Sequence, residues 1–532
     1  MTSRYSGYVG TKQTPQSEPI FGSSQVKNSA GGYVWAVTKW DQLLRFLILG
    51  AEGGTYYVGE RKLVTENAKS VLDCIKEDPT KVVETVVSVS EGGRAPKQDP
   101  AIFVLALVCA HASPVGKQEA YKALNRVCRT GTHLFQFVQS IQDLRGWSRG
   151  LRNAVARWYV NNPNIEYQLA KYQSRNGWSH KDVMRLSHPK PKSNEQADLF
   201  KLVVGKGEAN HNTPIFLAME AAKGVESKMT SPEGQQRLVA EIVKNSRLSR
   251  EMVPTQYLNK PQIQDALLYS MPITAMIRNL GGMTASGFLK SNLEPQVQYI
   301  CDTIRNVDVL KKGRVHPIAI LNALRTYTAG HGEKGKLSWS PVQSIVDALN
   351  DAFYLAFQAV VPTGKNFMLG CDISSSMDGS KVAGTSLTAR EAAAAMALVT
   401  MATEKNCEIL GFSNELVRLP ISPKQRLDDV INTMRRVPFG GTDASLPIIA
   451  ATQLNLKVDV FGIYTDNETW AGRIHPAQAL KAYRAKTGIN AKMYVVGTDA
   501  NPFTIADPTD PGMLDVVGFD TSVPQIIAEF VK

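Results

Sequence analysis

The pattern of apolar residues changes near residue 362, and that change decides what this chain can fold into. From about residue 36 to 360 the apolar positions recur at helical spacing in short segments. From 362 onward, apolar runs of strand length alternate with helix-forming stretches. A helical period cannot sit in a sheet, nor a strand period in a helix, so two architectures follow one another. A chain of 532 residues also exceeds what one hydrophobic core serves. The pattern predicts a polar, mobile arm over 1–30, an α-helical region over 31–361 and an α/β domain over 362–532.

In the helical region, "TKWDQLLRFLILG" opens with Thr38 as a cap, places Trp40, Leu43, Leu44 and Leu47 on one face and stops at Gly50. "TENAKSVLDCIKED", "PTKVVETVVSVSEGG", "DPAIFVLALVCAHAS", "GKQEAYKALNRVCRT" and "GTHLFQFVQSIQDLRG" follow, each bounded by Gly, Pro, Ser, Thr or Asp. Several are too apolar for a surface helix. Short helices joined by brief loops are the pattern of stacked helix pairs, as in HEAT or armadillo arrays. The segments share size and pattern but no residue signature, so a nonrepetitive helical domain fits them as well.

The α/β part carries strand candidates "FMLGCDI", "CEILGFS", "VDVFGIYTD", "AKMYVVGT" and "DVVGFDT", separated by helix formers such as "TAREAAAAMALVTMATEKN". Alternation of this kind predicts a doubly wound parallel sheet, Rossmann-like in plan. Such sheets bind ligands outside the carboxyl ends of their strands. The first strand ends there, in "FMLGCDISSSMDGS".

Asp372 closes that strand, and Ser374 and Ser376 follow at alternate positions. Alone, the string reads first as a polar turn whose serines cap the next helix. Two further loops of the same edge add Thr442, in "FGGTDASLP", and Asp466, at the end of "VDVFGIYTD". Two carboxylates and three hydroxyls are hard oxygen donors suited to a divalent cation, Mg²⁺ first, with Mn²⁺ or Ca²⁺ as alternatives. So few formal charges would leave the ion electron-poor and open to an outside carboxylate or phosphate.

The formal charge of +12 is unevenly placed. Residues 362–532 hold 16 Lys and Arg against 18 Asp and Glu, whereas residues 1–361 hold 44 against 30. The whole excess lies in the helical region, which suggests a polyanion as its partner. The six cysteines form no CxxC pair and the eight histidines no HExxH motif, so neither a disulfide framework nor a zinc site is expected. No apolar stretch has the length of a membrane span. The opening residues lack a signal-peptide core, which predicts a cytoplasmic protein without a membrane partner.

The densest basic stretch, "KYQSRNGWSHKDVMRLSHPKPK", contains Lys171, Arg175, His180, Lys181, Arg185 and His188 with Tyr172 and Trp178 interleaved. Cations neutralise phosphates, and the rings stack on unpaired bases. A solvated linker is the alternative for an isolated charge run. "RGWSRGLRNAVARWY" adds Arg149 and Arg152 on one helical face, and "KKGRVHP" adds Arg314 and His316. "GHGEKGK" lacks the GxxxxGK[ST] spacing of a P-loop and reads as a structural turn.

Two resemblances emerge from these motifs. The order DxSxS, a threonine loop and a strand-end aspartate resembles the metal-ion-dependent adhesion site of von Willebrand factor type A domains, which serves adhesion instead of catalysis. "GYVWAVTKWDQLLRFLILGAEGGTYYVGERKL", "RNGWSHKDVMRLSHPKP", "MPITAMIRNLGGMT", "RVHPIAILNALRTYTAGHGEKGKLSW" and "FTIADPTDPGMLDVVGFDT" resemble the Ro ribonucleoprotein family, of which this chain looks like a bacterial or other distant member. The resemblance runs from about Gly32 to the C-terminus and is weak across 193–245. It implies a multidomain fold: a closed ring of HEAT-like helical repeats, the TROVE module, shut by a type A domain. It also implies small noncoding Y RNA on the outer basic surface, where Lys171, Arg175 and His188 match the contacting segment. Single-stranded 3′ ends of misfolded RNA would pass through the ring, and bacterial relatives act beside 3′ exoribonucleases. The expected function is RNA quality control without catalysis. Its rivals are an adhesion scaffold and a metal-dependent nuclease built on Asp372 and Asp466.

Overall fold

Thr38 and Gly50 bound the first long helix, Lys39–Leu49, as their chemistry predicts. The Thr38 hydroxyl accepts from the Asp41 N–H, and Gly50 leaves the helix at a φ of 70°. The structure is a computed structural model and describes residues 13–51, 55, 58–332, 336–357, 360–382, 385–423, 425–437 and 440–532. The first 12 residues of the expected arm and positions 333–335 of the "GHGEKGK" turn lie outside the described residues.

Helices continue to Leu355. Pro79–Gly92 packs on Pro114–Val127, Asp99–His111 on Gly131–Leu144, and Pro114–Val127 on Arg149–Asn161. Each helix therefore meets the next but one, which produces two layers of stacked pairs. Asp99–His111 is the inner member, with Ala101, Ile102 and Val104 through Cys109 all buried. Its uniform apolarity follows from burial on every side.

The run of helices closes on itself and on the α/β domain. Near its start, Arg45 reaches Asp515 at 2.5 Å. Near its end, Asp347 of helix Gln343–Leu355 pairs with Arg426 at 2.7 Å, and Arg325 bonds the Ser386 hydroxyl at 2.7 Å. The corner after Gly92 also meets the corner before Pro317, where the His316 Nε2 lies 3.2 Å from the Arg94 carbonyl oxygen.

The strands are β1 (Gln25–Lys27), β2 (Tyr33–Ala36), β3 (Ser174–Arg175), β4 (Trp178–Ser179), β5 (Asn366–Asp372), β6 (Asn406–Phe412), β7 (Leu416–Arg418), β8 (Val460–Thr465), β9 (Lys492–Gly497), β10 (Phe503–Thr504) and β11 (Met513–Val517). The main sheet has the order β11-β9-β8-β5-β6-β7, parallel except for β7. All five expected strands are present. The antiparallel edge strand β7 went unread because three residues carry too little alternation to register. From β5 the chain steps to β6 and β7 and then crosses back to β8 on the other side. The carboxyl ends of β5 and β8 therefore flank the switch point, where a crevice must open.

The expectation of a mobile arm is corrected for residues 13–30. β1 and β2 form a three-stranded sheet with β10 of the α/β domain. Gln16, fully buried, donates to Asp443 Oδ1 at 2.8 Å and to the Ile474 carbonyl at 2.9 Å. The arm is polar because its polar groups bond the upper loops of the domain: Asn28 donates to the Thr469 carbonyl at 2.9 Å, and the Ala30 N–H to Glu468 at 2.9 Å. Polarity alone does not distinguish solvation from such docking. Gly32 lies so close to the backbone at Thr469 that a Cβ would collide with its carbonyl. Gly32→Ala is therefore expected to undock this strap at a cost of about 1–3 kcal/mol, read as faster limited proteolysis between residues 13 and 36. Unchanged proteolysis would show the contact to be dispensable.

Candidate metal centre and nucleic-acid interface

β5 carries Asp372 to the switch point, and the turn into Ser375–Gly379 brings Ser374 and Ser376 beside it. The Ser374 N–H donates to Asp372 Oδ1 at 2.8 Å, and the two serine hydroxyls lie 3.0 Å apart. Thr465, the last residue of β8, donates to Asp372 Oδ2 at 2.6 Å. Asp466 follows it, its Oδ1 held by the Glu468 N–H at 3.0 Å, and the Ser376 hydroxyl bonds its carboxylate. Thr442 reaches the same edge on the loop that crosses back from β7. Its carbonyl is anchored by the N–H groups of Trp470 and Ala471 at 3.0 and 2.9 Å. All five side chains expected from the sequence are buried.

Two observations test whether a cation suits this cradle. Burial raises Asp372 above the ordinary carboxylate range and the neighbouring Asp466 charge raises it further, while burial raises Asp466. The Thr442 hydroxyl is buried without a hydrogen-bond partner, an arrangement that costs about 1–3 kcal/mol unless something accepts or is ligated by it. A hard divalent ion would answer both. Among the described residues no three His, Cys, Asp or Glu side chains converge on one point; an ion held here would meet two carboxylates and three hydroxyls. Around it lie Glu468 and Asp499, each pushed up to about 8, by burial first and then by the Asp466 charge. Neither stood out in the sequence: Asp499 reaches Asp466 only through the fold, whereas Glu468, two residues after Asp466, was within reach of the same strand-end reading.

The basic residues divide into three groups. Helix His180–Ser187 packs on Arg149–Asn161, so two stretches separate in sequence become neighbours. Arg149, Arg152, Arg175, Lys181, Arg185 and His188 are exposed there. Among the described residues none of their charged groups makes an ion pair. Arg314 is exposed at a different corner, beside Gly93. Lys171 is mostly covered: its side chain is 11% exposed, 4.0 Å from Glu251 and 5.5 and 5.4 Å from the centres of the Tyr167 and Tyr172 rings.

His180 and His316 are corrections. His180 is 1% exposed; its Nδ1 meets the Tyr159 hydroxyl at 3.0 Å and its ring lies 4.6 Å from Phe135. Burial pushes it down to about 3, so it is neutral and holds the two basic helices together. His316 is buried; its Nδ1 accepts from the Ile318 N–H at 3.1 Å, capping helix Pro317–Ala329. A histidine within a charge run reads as a contact, and only packing shows that it faces inward.

Comparison with known proteins agrees with this geometry. The TROVE domain family matches residues 26–248 and 227–365, and the Ro60 vWA domain family matches 366–531. The RNA-binding protein RO60 of Deinococcus radiodurans is 37% identical over 523 residues, 97% of each chain. The RNA-binding protein RO60 of Caenorhabditis elegans is 36% identical over 598 residues, 98% of this chain and 92% of that one. The crystal structure of the Deinococcus radiodurans RO (RSR) protein superposes with a TM-score of 0.69 at 36% identity, covering 93% of this chain and 99% of that one. Motifs, topology and similarity along the whole length agree: the chain belongs to the Ro60 family, a TROVE domain followed by a Ro60 vWA domain.

Proposed function

We propose that this protein binds RNA without catalysing a reaction on it and acts in the cytoplasm in noncoding RNA quality control. Small structured RNAs of the Y class occupy the exposed basic face, and single-stranded 3′ ends of misfolded RNA enter the closed circuit of helices, where a 3′ exoribonuclease can act as a partner. A divalent ion, Mg²⁺ by preference, occupies the cradle of Asp372, Ser374, Ser376, Thr442 and Asp466, and recruits an outside oxygen ligand. The observation that carries the RNA reading is the set of exposed cations without carboxylate partners on two packed helices and the β3–β4 hairpin that leads into the second. Unneutralised charge concentrated on one face attracts a polyanion. Family membership supports the same reading, since both relatives are named as RNA-binding proteins. Among the described residues no helix is long and apolar enough to cross a membrane.

The test uses Arg149, Arg152, Arg175 and Arg185. Exposure of all four means the quadruple alanine variant is expected to fold normally. Its affinity for a structured Y-like RNA should fall, and the slope of log affinity against log salt should flatten by about 0.9 per lost duplex phosphate contact. Wild-type affinity with the wild-type slope would reduce the face to a solvated surface.

A further inference from the structure

A cavity of about 1090 Å³ opens between helix Ile165–Lys171, the segment that follows helix Pro232–Ser246, and the stretch from Asp265 to Asn279. It lies outside both the metal cradle and the exposed face described above, and shares only Lys171 with the basic residues expected from the sequence. Its lining is chemically mixed in a specific way. Lys244, Arg247 and Arg250 are exposed at the cavity, and among the described residues none makes an ion pair. Tyr269 presents a large ring, 54% exposed, backed by Tyr299 with ring centres 4.7 Å apart. Asp265 and Glu251 supply acceptors.

Arg247 also holds a backbone φ of 48°, at the end of helix Pro232–Ser246. That left-handed conformation ends the helix and fixes the direction in which the Arg247 side chain leaves it. An apolar ligand would leave three cations beside an exposed tyrosine unneutralised. A nucleotide needs both: an aromatic surface for its base and cations for its phosphate. The volume exceeds what one nucleotide fills, which leaves room for the flanking backbone and water.

We propose that this cavity receives one unpaired nucleotide of the bound RNA, its base stacked on Tyr269 and its phosphate held by Arg247 and Arg250. The inference rests on the RNA-binding reading above and adds a place where an extruded base is distinguished from a paired one.

The experiment compares two RNA hairpins, identical except that one carries a single-nucleotide bulge of 4-thiouridine. The proteins are wild type, Tyr269→Ala, Tyr269→Phe and the Arg247→Ala/Arg250→Ala pair, all at exposed positions. Wild type should prefer the bulged hairpin about tenfold, within the range for stacking one base, and the photoactivated bulge should crosslink to the peptide containing Tyr269. Tyr269→Ala should erase the preference while binding the paired hairpin as wild type does. Tyr269→Phe should keep the preference, and the arginine pair should weaken it. Equal wild-type affinity for the two hairpins, or a preference that survives Tyr269→Ala, would overturn the pocket while leaving RNA binding intact. Failure of the wild type to bind either hairpin would remove the RNA-binding reading, and the pocket with it.

Discussion

Asp372→Ala is expected to abolish divalent-ion binding in a calorimetric Mg²⁺ or Mn²⁺ titration. Loss of a direct ligand should cost more than the 10–100-fold that follows loss of an outer partner. Asp372→Asn is the companion variant, because the carboxylate also accepts from Thr465 and the Ser374 N–H. It keeps an acceptor in place and should still bind metal poorly. Binding at wild-type strength in both variants would remove Asp372 from the site.

The same carboxylates set the expected pH dependence. Asp372, Asp466, Glu468 and Asp499 are all raised in the folded state, by burial first. The folded protein therefore holds protons that the unfolded chain has already released. Without metal, stability should be greatest near pH 4 for these groups and fall as pH rises toward about 8, the value reached by Glu468 and Asp499. The slope is up to about 1.4 kcal/mol per pH unit for each titrating group. Mg²⁺, if it occupies the cradle as proposed, would bind the ionised pair, so its stabilisation should grow over the same range. Melting temperatures at several pH values, with and without Mg²⁺, read both trends. An increase in metal-free stability attributable to these residues across that range would contradict the reading.

Arg45→Ala is expected to produce the largest loss of stability of any single change considered, about 3–5 kcal/mol. The Arg45 side chain is fully buried, gives both carboxylate oxygens of Asp515 a hydrogen bond at 2.5 and 2.6 Å, and donates to the Asn501 carbonyl at 3.2 Å. It joins the first long helix to β11, the contact where the helical region meets the α/β domain. Its removal strands a carboxylate that is itself mostly covered. Arg45→Met combined with Asp515→Leu takes away both charges together and should recover most of the loss. Chemical denaturation of the three proteins provides the comparison. Equal stability of Arg45→Ala and wild type would show that this ion pair does not hold the domains together.

Much of the architecture was legible because it rests on short-range signals. The helix from Lys39 to Leu49 has its own cap and stop, and β5, β6, β8, β9 and β11 are apolar runs that a buried parallel sheet requires. The five donors of the cradle were legible for a similar reason, since each ends a strand or sits in a loop on the carboxyl edge of the sheet. β7 was lost because three residues hold no period. Residues 13–30 read as a mobile arm because polarity is the same whether groups meet water or the Asp443 and Glu468 carboxylates. Asp499 gave no signal because only the fold brings it to Asp466, whereas Glu468, two residues after Asp466, was open to the same strand-end reading.

The sequence by itself determined the two architectures, the junction near 362, the carboxylates and hydroxyls placed at the carboxyl edge of the sheet and the excess of positive charge in the helical region. These follow from periodicity, from residues that end strands and from composition, all of which act over a few residues. Tertiary structure alone decided that His180 and His316 are packing residues, that Lys171 is mostly covered beside a cavity, and that the Arg149 and Arg185 helices form one basic face. It also decided that Arg45 spans the domains. Each of these depends on which surfaces meet, and charge or burial at a contact is a property of both partners, which the order of residues along one segment does not contain.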